Sequence, residues 1–134
     1  MLKVEHIGIA VKSLQDSVPL FEKLLNTLSY KTETVDSENV NTAFFRQGET
    51  KIELLESTVA DCVISKYIDK KGEGIHHIAI TADNIEQDVA RGEKNGMRFL
   101  GGIRTGSYGR KITFIHPKSL NGVLTEFCQS PPNE

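Results

Sequence analysis

The chain has 134 residues, enough for one compact domain or for two small modules that share a core. Hydrophobic residues make up 38%, aromatic residues 7% and charged residues 25%, an ordinary balance for a globular protein, with a formal net charge of -2. That charge argues against a general nucleic-acid binder, which carries a basic stripe. No apolar run approaches the roughly 20 residues of a membrane span.

Val4 to Val11 alternates like a strand almost from the first residue, without the charged and then apolar segments of a signal peptide, so a cytoplasmic protein is expected. Ser13 is a fitting N-cap for a helix whose apolar residues are Leu14, Val18, Phe21, Leu24, Leu25 and Leu28. Strands follow at Val40 to Phe45 and Thr50 to Leu55, flanking a turn at Gly48-Glu49. A linker over about residues 57–73 holds a short helix around Ala60 to Ile68 and the loose run Lys70-Lys71-Gly72-Glu73-Gly74. A second strand pattern begins at Ile75. Asp83 or Asn84 can cap a helix running through Ile85 and Val89 toward Lys94, and Asn95-Gly96 is its stop signal. Strands at Lys111 to Ile115 and Gly122 to Phe127 close the chain around His116 to Asn121. Cys62 and Cys128 make no metal-knuckle or redox spacing and read as two reduced thiols.

The two halves are copies of one pattern. Val4-Glu5-His6-Ile7-Gly8-Ile9-Ala10 lies over Ile75-His76-His77-Ile78-Ala79-Ile80-Thr81 at an offset of 71 residues, with His6 on His77. Each half reads β-α-β-β-β, with module one at about 1–56 and module two at about 74–130 of a single domain over 1–134. Strand alternation puts His6 on a face with Val4, Gly8 and Ala10, and His77 on a face with Ala79. The opposite faces, with Ile7, Ile9, Val11, Ile78 and Ile80, suit helix packing, whereas the small histidine faces read as a cavity wall. His76 points the other way and reads as structural, and His116 as a loop residue.

The last strand of each half sets a carboxylate among apolar residues, Glu53 lying 47 residues after His6 and Glu126 lying 49 after His77. One strand histidine is more often structural than a ligand, and one such glutamate more often faces solvent. A His/Glu pair delivered twice at equivalent positions is a different matter, because buried carboxylates must be paired or metal-bound. Two imidazoles and two carboxylates suit one divalent cation, Co2+, Mn2+, Ni2+ or Zn2+, with open positions left for water or substrate.

With these segments, together with Gly48 to Glu56, His116-Pro117-Lys118 and Asn121-Gly122-Val123-Leu124-Thr125-Glu126, the chain resembles the vicinal oxygen chelate superfamily and, within it, the methylmalonyl-CoA epimerase family. The resemblance covers nearly the whole chain. It implies an α+β fold of two βαβββ modules with a curved mixed sheet around a metal site. Metal ligands would fall on His6, Glu53, His77 and Glu126, with Co2+ the leading metal. The implied activity is inversion at C2 of an acyl-CoA thioester, with Glu126 as one acid/base group. The family's other base sits in the loop before Val40, where Glu38 is the nearest carboxylate and Asp36 the second, while a gap-free match lands on Ser37. Asn39 stands there where the family has glycine. The resemblance also places Gly106 and Ser107 at the substrate carboxylate, and makes Lys118, with Arg104, Arg110 and Lys111, candidates for the coenzyme A phosphates. It implies a homodimer. Two rivals use the same scaffold: a glyoxalase I-like lyase, and a non-catalytic ligand-sequestering protein of bleomycin-resistance type.

Overall fold

The first repeat of the pattern folds as β1 (Val4–Ala10), α1 (Leu14–Leu25), β2 (Lys31–Val35), β3 (Val40–Gln47) and β4 (Thr50–Ser57) in the computed structural model, which describes residues 2–132. After α2 (Val63–Lys71), the second repeat follows as β5 (Gly74–Thr81), α3 (Ile85–Lys94), β6 (Phe99–Thr105), β7 (Lys111–Ile115) and β8 (Thr125–Gln129). Residues 6–76 form one compact unit, and residues 2–5 with 77–132 form the other. Among the described residues no helix is long and apolar enough to cross a membrane.

Within the unit of residues 6–76 the strand order is β2-β3-β4-β1, with β1 parallel to β4 and the remaining neighbours antiparallel. The other unit repeats this as β6-β7-β8-β5, with β5 parallel to β8. The expected α+β class of two βαβββ modules with mixed sheets is therefore present. The parallel pairs follow from connectivity, because in each module the first and last strands are joined through a helix and a hairpin rather than by a tight turn.

One sheet face of each module packs on its own helix. In the first, Ile9, Val11, Ala43, Phe45, Ile52 and Leu54 meet Leu14, Val18, Phe21 and Leu25 of α1. In the second, Ile80, Ile115 and Phe127 meet Ile85 and Val89 of α3. Ser13 caps α1 by accepting from the Asp16 N–H at 3.2 Å, and Asn84 caps α3 by accepting from the Gln87 N–H at 3.1 Å.

Several boundaries differ from the sequence expectations. Helix α1 ends at Leu25 because Asn26 turns left-handed (φ 51°), so Leu28 lies past the helix and, like Leu24, is about three-quarters exposed. The stripe packed on the sheet is Leu14, Val18, Phe21 and Leu25, all partly buried, and Leu24 is one helical step, about 100°, away from it. Helix α2 starts at Val63 rather than Ala60, since the N–H of Cys62 donates to Ser65 Oγ at 2.9 Å and closes the first turn there. Strand β8 begins at Thr125 rather than Gly122, because Asn121 (φ 56°) and Gly122 (φ 89°) are both left-handed. Strands β2 and β6 occupy segments in which the apolar pattern marks no strand: β2 is an outer, polar strand, and β6 contains Gly101-Gly102 and a register shift.

Candidate metal centre

Each module sets one imidazole against one carboxylate by the same register. Gly8, two residues after His6, pairs with Glu53 across the β1–β4 ladder; Ala79, two residues after His77, pairs with Glu126 across the β5–β8 ladder. Because a parallel ladder keeps alternating residues on matching faces, each histidine shares a face with its module's glutamate. His6 Nε2 lies 3.3 Å from Glu53 Oε1, and His77 Nε2 lies 3.9 Å from Glu126 Oε2. All four residues are 4–5% exposed.

Buried carboxylates at this depth need a cation or strong donors. The pairs present imidazole nitrogen and carboxylate oxygen, the donor set that divalent transition metals accept, so the residues fit such an ion chemically. The ring of Phe114, whose residue pairs with Glu126 across β7–β8, stands edge-on to His77 with centroids 5.4 Å apart and restricts rotation of the imidazole. Lys51, opposite His6 in the ladder, is buried on the strand face that Glu53 occupies.

The small residues on these faces do not simply leave open space. Ala10 is fully buried against Val35, Val40, Leu55, Cys62 and Ile64, and Ala79 against Ile112 and Cys128. The expected cavity wall is therefore closed at its Ala10 end, where α2 packs on it. His76 lies on the other face as expected, its ring edge-on to Tyr67 at 5.0 Å. Burial lowers its pKa to about 4, so it is neutral near pH 7. His116 caps a turn through its Nδ1, which accepts from the Lys118 N–H at 3.0 Å.

The candidate acid/base carboxylates of the first module sit in a 3-10 turn over Asp36–Glu38, with Glu38 half-buried and Asp36 exposed. Val40, just beyond this turn, pairs with Ser57, four residues past Glu53. That is about 13 Å along the strand from Glu53. Asn39 adopts φ 55°, the left-handed conformation that glycine accepts freely and asparagine tolerates best among other residues. Its carbonyl accepts from the Thr58 N–H at 2.9 Å, tying the turn to the segment before α2.

The corresponding turn of the second module runs through Gly106 to Arg110. Gly106 is buried so closely on Ile112 that a Cβ there would lie 2.8 Å from Ile112 Cδ1. Tyr108 is left-handed at φ 60°, ψ 22°, which costs about 1–2 kcal/mol for a residue with a Cβ. Ser107 is half-buried at the start of this turn, and Lys118 is exposed on its own turn after β7. Of the candidate phosphate-binding cations, Arg110 is committed elsewhere: it is 3% exposed, with its guanidinium 3.6 Å from Glu5 and 4.9 Å above the Tyr108 ring. Lys111 pairs with Glu86 at 2.9 Å, and Arg104 lies over Phe114 at 5.4 Å. Sequence reasoning missed Glu5, Tyr108 and Phe114. The only available signal for Glu5 was a charge beside His6 on the strand face that otherwise carries Ile7 and Ile9.

The family model of the Glyoxalase/Bleomycin resistance protein/Dioxygenase superfamily matches residues 5–114. A crystal structure of a hypothetical protein from Bacillus halodurans is 40% identical with a TM-score of 0.94, over 97% of this chain and 95% of that one. Human mitochondrial methylmalonyl-CoA epimerase is 32% identical over 130 residues, 96% of this chain and 74% of the human protein. A variant of Streptomyces coelicolor methylmalonyl-CoA epimerase, in complex with 2-nitronate-propionyl-CoA, is 33% identical with a TM-score of 0.91, over 97% of this chain and 95% of its own.

Proposed function

We propose metal-assisted epimerisation at C2 of methylmalonyl-CoA as the activity of this chain, which belongs to the Glyoxalase/Bleomycin resistance protein/Dioxygenase superfamily. The observation that carries it is the doubled, buried His–Glu pair set in the same register in both modules. In this reading the two modules act as one domain, and His6, Glu53, His77 and Glu126 together hold one divalent ion, Co2+ first among Mn2+, Ni2+ and Zn2+. The bound ion would serve as a Lewis acid toward the charge that develops when the C2 proton leaves.

The C2 proton lies between a thioester carbonyl and a carboxylate, so its removal yields an enolate, and inversion needs proton transfer on both faces of that carbon. Glu126 supplies one acid/base carboxylate. Glu38 supplies the other: it is the nearest carboxylate in the loop before Val40 and is half-buried, whereas Asp36 is exposed. The backbone amides of Gly106 and Ser107 and the Ser107 hydroxyl receive the substrate carboxylate, and exposed Lys118 meets the coenzyme A phosphates. A homodimer belongs to the same proposal and is checked by light scattering.

The test is proton NMR of methylmalonyl-CoA in deuterium oxide, with the purified protein and cobalt and then with a chelator. Loss of the C2 proton signal with metal, abolished by the chelator, is the expected result. Absence of exchange with any of the four metals overturns the epimerase reading.

A further inference from the structure

The least ordinary arrangement outside the His–Glu pairs is a buried ion pair with no place in the proton-transfer chemistry. Glu5, the residue before His6 in β1, is 8% exposed, and its Oε1 lies 3.6 Å from Nη1 of Arg110, which is 3% exposed. Desolvating both charges offsets most of their attraction, and an apolar pair of equal volume generally does as well for stability, so the geometry the pair imposes is the more informative property.

That geometry converges on one short loop. The Arg110 guanidinium covers the ring of Tyr108 at 4.9 Å, and its Nε donates to Ser130 Oγ at 3.4 Å. Its backbone closes the loop from both sides: the Gly106 N–H donates to the Arg110 carbonyl at 2.8 Å, and the Arg110 N–H donates to the Ser107 carbonyl at 3.2 Å. Inside it Tyr108 and Gly109 are both left-handed, at φ 60° and 68°. Holding a tyrosine there costs about 1–2 kcal/mol, and the guanidinium over its ring is a contact that offsets that cost. Glu5 thus fixes Arg110, Arg110 fixes Tyr108, and the peptide units from Gly106 to Gly109 take their orientation from both.

We propose that Glu5 is a positioning residue for substrate binding: through Arg110 it holds the Gly106–Arg110 loop in the one shape that presents Ser107 and its neighbouring amides to the substrate carboxylate. This rests on the epimerase reading for the identity of the anion, but the tether itself is defined by the loop alone. It makes the loop's preorganisation a property of β1, distant in sequence by about a hundred residues.

The test uses the cobalt-loaded full chain as wild type, Glu5→Gln and Glu5→Asp. Glu5→Gln keeps the side-chain shape and removes the charge. KM for methylmalonyl-CoA should rise about tenfold with kcat changed less than about twofold, the loss of one charge-assisted contact being felt in ground-state binding. Amide hydrogen exchange over residues 106–110 should accelerate by a similar factor, with cobalt affinity unchanged, and Glu5→Asp should recover most of both effects. An unaltered KM with the loop still protected overturns the proposal. So does a fall in kcat at constant KM, and so does global unfolding of Glu5→Gln, which would make the pair a support of the whole unit. If the wild type turns over no methylmalonyl-CoA, the epimerase reading fails by itself, and the exchange rates over 106–110 still decide whether the tether exists.

Discussion

The connection from β2 to β3, through Asp36 to Asn39, and its counterpart from β6 to β7, through Gly106 to Arg110, hold equivalent places in the two modules. Both turn through left-handed residues, Asn39 in the first and Tyr108 with Gly109 in the second. In the first, the Asn39 carbonyl accepts from the Thr58 N–H at 2.9 Å and from Cys62 Sγ at 3.8 Å, while Asp36 and Ser37 are exposed. The second is fastened by a buried guanidinium and keeps Gly106 and Arg110 out of water. A repeat can thus keep its strands and register while its loops diverge in exposure and fastening: the more exposed loop suits a proton-transferring carboxylate that must approach its substrate, and the loop pinned by a buried guanidinium suits a receptor for a fixed anion.

The largest effect should come from breaking the symmetry of the two pairs. If Glu126 is both ligand and acid/base group while Glu53 is ligand only, Glu126→Gln lowers C2 proton exchange by about a thousandfold, and Glu53→Gln, which keeps an oxygen donor, by about ten- to a hundredfold. Both variants should retain the wild-type circular dichroism spectrum. Equal losses would mean that the pairs are functionally as alike as their registers.

The loops come next. Glu38→Gln should reduce kcat by about a hundredfold with Asp36→Asn near wild type, because only a proton-transferring carboxylate is needed at the reacting carbon. Ser107→Ala should instead raise KM by about tenfold with kcat little changed, as expected for loss of one contact to a charged group in the ground state. Steady-state kinetics on the cobalt-loaded variants separate the two. A kcat effect at Ser107 with a KM effect at Glu38 would reverse the roles assigned to the loops.

The repeat was legible in the sequence because both of its signals are local: alternation around His6 and His77, and helical spacing after Ser13 and Asn84. Glu53 and Glu126 could be found because the repeat supplied a second instance of each, and the ladders place both opposite the residue two after the histidine. What stayed hidden depends on tertiary contact. Nothing local distinguishes Leu24 from Leu25, and only the direction of α1 against β3 and β4 leaves Leu24 in water. Strand β2 carries too few apolar residues to show a period, since it is an outer strand held mainly by its ladder with β3. The Glu5–Arg110 pair joins residues about a hundred positions apart, and neither is distinctive until the fold brings them to 3.6 Å.

The smallest predicted effect tests whether the first loop needs its left-handed residue at all. Asn39 lies at φ 55°, ψ 45°, a conformation that glycine adopts freely and that asparagine tolerates better than most other side chains. Asn39→Gly should change stability by no more than a few tenths of a kcal/mol, its relaxed backbone being offset by greater freedom in the unfolded chain. Asn39→Ala should cost about 1 kcal/mol, read as a lower urea midpoint at unchanged slope. It should also displace the Asp36–Glu38 turn, so that kcat falls in Asn39→Ala and survives in Asn39→Gly. Equal stability of the two would mean that the turn relaxes without cost. The shape of this loop would then not depend on its left-handed residue, and the contrast with the guanidinium-pinned loop of the second module would be sharper still.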